Sequence, residues 1–146
     1  MDPVTIANEA TLIYDNITKN SNAVVTRILS LYDLTATKEA LLDSYTPGQT
    51  ITYITRVENT GSASLYNLTI VDDLANGTLQ YIDTSIEGYL NGSPIEVDVQ
   101  KTANTVTFKI DNVLNPNDNV LIIFETTTPT TNPEQITNTQ TITANG

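Results

Sequence analysis

Three side chains in this sequence have the types and the strand parity needed for covalent chemistry with one another. They are Lys38 in "LTATKEA", Asp72 in "LYNLTIVDDL" and Asn138 in "ITNTQTITANG". Side chains alternate faces along a strand, so Leu34, Ala36 and Lys38 share one face. By the same rule Asp72 falls with Tyr66, Leu68 and Ile70, and Asn138 falls with Ile136, Gln140 and Ile142. Apolar members mark each set's face as the inner one, which predicts an inward lysine, an inward carboxyl and an inward amide. Burial disfavours the charged forms, lowering a lysine's pKa and raising a carboxyl's. A neutral amine is a nucleophile, and a neighbouring carboxyl can polarise an amide carbonyl and carry protons. The product is a Lys38–Asn138 isopeptide bond, formed with loss of ammonia. Plainer roles stay open for the same residues: Lys38 on the solvent side of an edge strand, Asp72 capping the turn into "LANG", Asn138 bonding backbone.

The elements that would position these residues read as strands. The chain has 146 residues, 26 of them Thr and 16 Asn. Thr is β-branched and suits a pleated, half-solvated face, while Asn suits turns. "TITYITRVE" alternates between the turn signals "TPG" and "NTGSAS". "LYNLTIVDDL", a short return after Asn76-Gly77, "NTVTFKI" and "NVLIIFETTT" continue the pattern, and "PTTNPEQ" breaks it before a last strand. "SIEGYL" and "PIEVDV" flank Asn91-Gly92, a primed hairpin turn. "TKEALLDSY" favours helix but is short and stopped by Pro47-Gly48. The expectation is an all-β, immunoglobulin-like β-sandwich of about 7–9 strands over residues 31–146.

Composition narrows the function further. There is no His and no Cys, which removes the usual zinc ligands, Ser–His and Cys nucleophile systems and the commonest general base. An enzyme acting on an outside substrate is disfavoured, although carboxylate-only glycosidase chemistry needs neither residue. A net charge of −11, from 17 acids and 6 bases, repels nucleic acid and anionic membrane surfaces. No cofactor or metal is expected: Asp72-Asp73 and "NPNDN" offer oxygen ligands without EF-hand spacing. Glycosylation-type triplets begin at Asn16, Asn67, Asn76 and Asn91, as an Asn/Thr-rich composition produces by itself. No signal peptide precedes the first strand, so an exported chain would be an excised segment.

One internal echo bears on organisation. "VTIANEATLIYD" near the start resembles "QITNTQTITANG" at the end, with Ile6, Asn8 and Thr11 matching Ile136, Asn138 and Thr141, and Leu12 matching Ile142. Residues 1–30 then read as the tail of a preceding repeat or a linker hairpin, with strand 4–14 free to pair with 18–28 or with a neighbouring sheet edge. Two unrelated Thr/Asn-rich strands would give a similar echo.

The segments "YTPGQTITYITRVENTGSASLYNLTIVDDL", "NTVTFKIDNVLNPNDNVLIIFETTT" and "ITNTQTITA", in that order, resemble the conserved repeat domain (domain of unknown function eleven) of bacterial and archaeal cell-surface proteins. "NPND" stands where that family often has Pro-Gly. The resemblance implies a sandwich strung as repeats in an extracellular stalk. Its partners would be neighbouring repeats or copies of itself. Surface-adhesin sandwiches with self-formed isopeptides place Lys on the first strand and Asn on the last, the order of Lys38 and Asn138 here. A module binding a surface glycan or a host protein is the alternative function.

Overall fold

In the computed structural model, residues 31–131 and 135–146 are described in full, together with four strand segments earlier in the chain. Those four are β1 (Val4–Asn8), β2 (Thr11–Tyr14), β3 (Ile17–Asn20) and β4 (Val24–Ile28). β1 pairs antiparallel with β4, and β2 with β3. Asn16 of the first triplet, part of "PTTNPEQ" and the side chains of Ile6, Asn8, Thr11 and Leu12 lie outside the described residues.

From Leu34 onward the chain forms two antiparallel sheets. The strands are β5 (Leu34–Ala40), β6 (Thr50–Asn59), β7 (Tyr66–Asp72), β8 (Gln80–Tyr81), β9 (Glu87–Leu90), β10 (Ser93–Ile95), β11 (Asp98–Lys101), β12 (Val106–Ile110), β13 (Asn119–Thr127) and β14 (Gln140–Asn145). The larger sheet runs β10-β9-β13-β6-β5, with β8 also on β13, and the smaller runs β11-β12-β7-β14. This is an immunoglobulin-like sandwich with ten strands rather than 7–9. The excess comes from short pieces. "PIEVDV" does not stay one strand: Ser93–Ile95 returns on β9 through the turn at Asn91 (φ 49°) and Gly92 (φ 84°), and the chain then crosses to pair β11 with β12.

Alternation builds the core. Along β6, Ile51, Tyr53, Thr55, Val57 and Asn59 are all buried, and β13 answers with Val120, Ile122, Phe124 and Thr126. Phe108 of the smaller sheet meets Phe124 of the larger at 5.0 Å between ring centroids. Three threonines lie inside rather than on the half-solvated faces their type favours, and each hydroxyl is bonded. Thr55 donates to Gln140, Thr126 to the Ile51 carbonyl and Thr128 to the Gln49 carbonyl. A buried hydroxyl without a partner costs on the order of 1–3 kcal/mol, so these bonds permit the inward placement.

The "NTG" signal has a structural cause. Buried Asn59 donates to the carbonyls of Ala63 (2.9 Å) and Leu114 (2.8 Å) and accepts from the Gly61 N–H (3.0 Å). A Cβ on Gly61 would sit 2.7 Å from the Leu31 carbonyl oxygen and the Asp33 nitrogen. The loop thus binds the chain entering β5, where the Leu31 carbonyl accepts from Ser62 and Ala63. At "TPG", Gln49 N–H closes the turn on the Thr46 carbonyl, with Gly48 at φ 79°.

Candidate functional site

β5 and β14 are the outer strands of different sheets, and Lys38 and Asn138 reach across the seam between them. Lys38 stands opposite Thr55 in the β5–β6 register, and its side chain is only 16% exposed. The parity expected for β5 holds at Leu34 and Lys38 but not at Ala36, which is exposed. Asp72 ends β7 and is fully buried, with Leu68 and Ile70 on the same inner face. Tyr66 leaves that face. Asn67 adopts a left-handed conformation (φ 52°) and the β7–β14 register shifts nearby, so the alternation is reset after Tyr66. Asn138 lies two residues before β14, and Ile136, Asn138, Gln140, Ile142 and Ala144 are all partly buried on one side.

The three side chains meet at one carboxylate oxygen. Lys38 Nζ donates to Asp72 Oδ2 at 2.8 Å and to the Asn138 backbone carbonyl at 3.3 Å. Asn138 Nδ2 donates to the same Asp72 Oδ2 at 3.3 Å. The plainer roles are filled at the same time. Asp72 Oδ1 accepts from the Leu74 N–H at 2.8 Å, capping the turn, and Asn138 Oδ1 accepts from the Ala75 N–H at 3.1 Å.

Two further residues complete the cluster. Gln140 Nε2 donates to Asp72 Oδ2 at 2.9 Å, while Thr55 donates to Gln140 Oε1 at 2.8 Å. Gln140 pairs with Asp72 in the strand register, and its parity with Asn138 was a sequence signal for its presence here. Tyr53, two residues from Thr55 on the same face, places its ring 4.6 Å from Lys38 Nζ.

Burial pushes the Lys38 ammonium below its ordinary value of 10.5, against the charge and hydrogen bond of Asp72 and the charge of Asp73, which favour the ammonium. Burial likewise raises Tyr53 above 10.0, partly offset by its hydrogen bond to Asn138, so its phenol is neutral in physiological solution. Desolvation therefore makes the amine easier to deprotonate, while an acceptor for its proton stands at 2.8 Å. A cleft lined by Lys38, Leu42, Tyr45, Tyr53, Ile136 and Asn138 opens from this cluster to solvent. It is a route by which a small leaving molecule can depart.

The turn after β7 is unusual. Leu74, Ala75 and Asn76 are consecutive left-handed residues (φ 50°, 52° and 57°). Left-handed backbone costs a non-glycine residue about 1–2 kcal/mol. Burial of Leu74 and Ala75, the side chains of Asp72 and Asp73, and the Leu79 N–H on the Leu74 carbonyl hold it. The one acid of the other oxygen-rich loop is likewise committed to structure: Asp118 accepts from the Asn115 N–H and from the Asn91 side chain. Among the described residues no cluster of acids has metal-binding proximity.

No family model matches the chain, and no curated protein matches it. Solved structures share its fold. A variant of the major pilin subunit BcpA of Bacillus cereus matches over 94% of this chain and 42% of its own, at TM-score 0.61 and 14% identity. The pilus backbone RrgB of Streptococcus pneumoniae matches over 77% of this chain and 31% of its own, at TM-score 0.59 and 13% identity. The collagen-binding domain of a Staphylococcus aureus adhesin matches over 78% of this chain and 85% of its own, at TM-score 0.50 and 17% identity. The chain spans less than half the length of the two pilins. Identities this low define a shared sandwich fold.

Proposed function

We propose that this sandwich is a structural spacer of an extracellular, cell-surface or fibre-forming protein, closed by a self-formed isopeptide bond between Lys38 and Asn138 with Asp72 as its acid–base group. The observation that carries the reading is the single buried oxygen, Asp72 Oδ2, shared by the Lys38 amine at 2.8 Å and the Asn138 amide at 3.3 Å. The proton of the Lys38 ammonium passes to Asp72. The neutral Nζ attacks Cγ of Asn138, and Asp72 then moves a proton from Nζ to the departing Nδ2. The Nζ–Cγ bond forms, the Cγ–Nδ2 bond breaks, ammonia leaves, and Asp72 retains its proton. No cofactor and no external substrate is consumed.

The bond would join the outer strands of the two sheets, residues 100 positions apart. It would put most of the domain inside one covalent loop, as a disulfide does, without redox sensitivity. Pulling force entering at β5 and leaving at β14 would pass through the bond instead of unzipping strands. The pilin and adhesin folds, the absence of Cys and the resemblance to surface repeat domains support this reading over a soluble enzyme. Neighbouring repeats or copies of the same chain are its partners in such an assembly.

Intact-mass spectrometry tests it. The native chain is expected to weigh one ammonia less than its sequence, and Lys38→Ala is expected to restore the full mass. A native chain of full mass removes the proposal.

A further inference from the structure

Resting on the isopeptide reading, we infer that the left-handed turn after Asp72 is the oxyanion site of the reaction. The Ala75 backbone N–H is its donor, and Asp73 is the residue that positions it. Attack of Lys38 on an amide puts negative charge on one atom, the carbonyl oxygen of Asn138. That oxygen already accepts the Ala75 N–H at 3.1 Å. The same contact fixes which way the amide faces. With Oδ1 on the turn, Nδ2 is turned toward Asp72 Oδ2 at 3.3 Å, so the leaving nitrogen faces the acid that must protonate it. One amide thus has its two atoms sorted by two neighbours, each suited to the charge that atom develops.

Asp73 builds the frame. Its Oδ1 accepts from Ala75 N–H (2.9 Å) and from Thr139 N–H (3.0 Å), and its own N–H donates to the Thr139 carbonyl (3.0 Å). Asp73 therefore ties the donor residue to the neighbour of the acceptor residue. In the resting state Ala75 N–H is shared between the Asp73 carboxylate and Asn138. As charge grows on Asn138 Oδ1, the shared proton shifts toward it. The left-handed conformation at Leu74, Ala75 and Asn76 directs a backbone N–H to a place that a regular exit from β7 does not offer. Preorganised donors at a developing oxyanion are worth roughly 100- to 1,000-fold in rate. A shared donor is expected at or below the lower end, roughly 10- to 100-fold.

The test starts from full chain recovered unfolded and unreacted, refolded, and followed by mass for ammonia loss. Replacing Ala75 by lactate turns its amide into an ester and deletes only that N–H. Ala75→Gly keeps the N–H and tolerates the left-handed backbone. The ester chain is expected to react at least roughly 10-fold more slowly than the glycine chain. Equal rates overturn the inference. A second arm does not need the ester to fold: Asp73→Ala is expected to slow the reaction, and Asp73→Asn, which keeps the accepting oxygen and removes a charge beside the oxyanion, to restore it. Failure of Asp73→Asn to restore the rate also overturns the inference. In either arm, a native chain that never loses ammonia refutes the isopeptide reading itself, which is a separate result.

Discussion

Removing the proposed Lys38–Asn138 bond without leaving the buried Asp72 carboxyl unpartnered isolates its contribution to stability. Lys38→Met deletes the nucleophile but keeps an apolar stem of similar length. Alone it also leaves the fully buried Asp72 carboxyl without the lysine nitrogen beside it, a lost partner worth about 1–3 kcal/mol. Adding Asp72→Asn removes that second effect. What remains is loop closure between positions 100 apart, on the order of 4–5 kcal/mol by chain entropy. For a domain between the small and medium size classes each kcal/mol shifts Tm by roughly 3–5 °C. The double variant should therefore melt roughly 12–25 °C below the native chain, and Lys38→Met alone lower still. Differential scanning calorimetry beside intact mass is the assay. A double variant melting within about 5 °C of a native chain that does carry the mass deficit would refute the entropic reasoning.

The pH dependence of bond formation carries a sign. Burial lowers Lys38 from 10.5, so its neutral amine becomes available at lower pH than that of a free lysine. The rate of ammonia loss should rise from acid and level off below pH 10.5; a rate still climbing tenfold per unit up to 10.5 marks an ordinary solvated lysine. Peptide mapping should find the cross-link at Asn138 and not at Gln140, because Lys38 Nζ already contacts Asn138, at its backbone carbonyl (3.3 Å), and Gln140→Ala should slow but not relocate it. Gly61→Ala should cost about 1–3 kcal/mol in urea unfolding, because its Cβ meets backbone at 2.7 Å on two sides; an unchanged midpoint would show that the loop yields freely.

Much of the architecture was legible in local pattern. β6 alternates as "TITYITRVEN" does, and Asn91-Gly92 turns where a primed hairpin requires positive φ. Period-two alternation is a property of the extended backbone itself, and left-handed turns select Asn and Gly by steric cost. The same parity placed Lys38, Asp72 and Asn138 on inner faces. It failed at Ala36 and Tyr66, where exposure at a sheet edge and a reset at Asn67 are not written in the alternation. It also missed the split of "PIEVDV" between two sheets, since a change of sheet is a choice of partner and not of backbone conformation.

The sequence by itself therefore determined strands, turns and the side on which Lys38, Asp72 and Asn138 project, because those depend on neighbours one to three positions away. Only the tertiary structure decided that β5 and β14 are facing edges of different sheets, so that residues 100 apart share one oxygen of Asp72. It alone showed the Ala75 N–H on Asn138 and the Thr55–Gln140–Asp72 chain of hydrogen bonds. A backbone donor has no residue type to read, and side chains on separate sheets meet only after the whole core between them has packed.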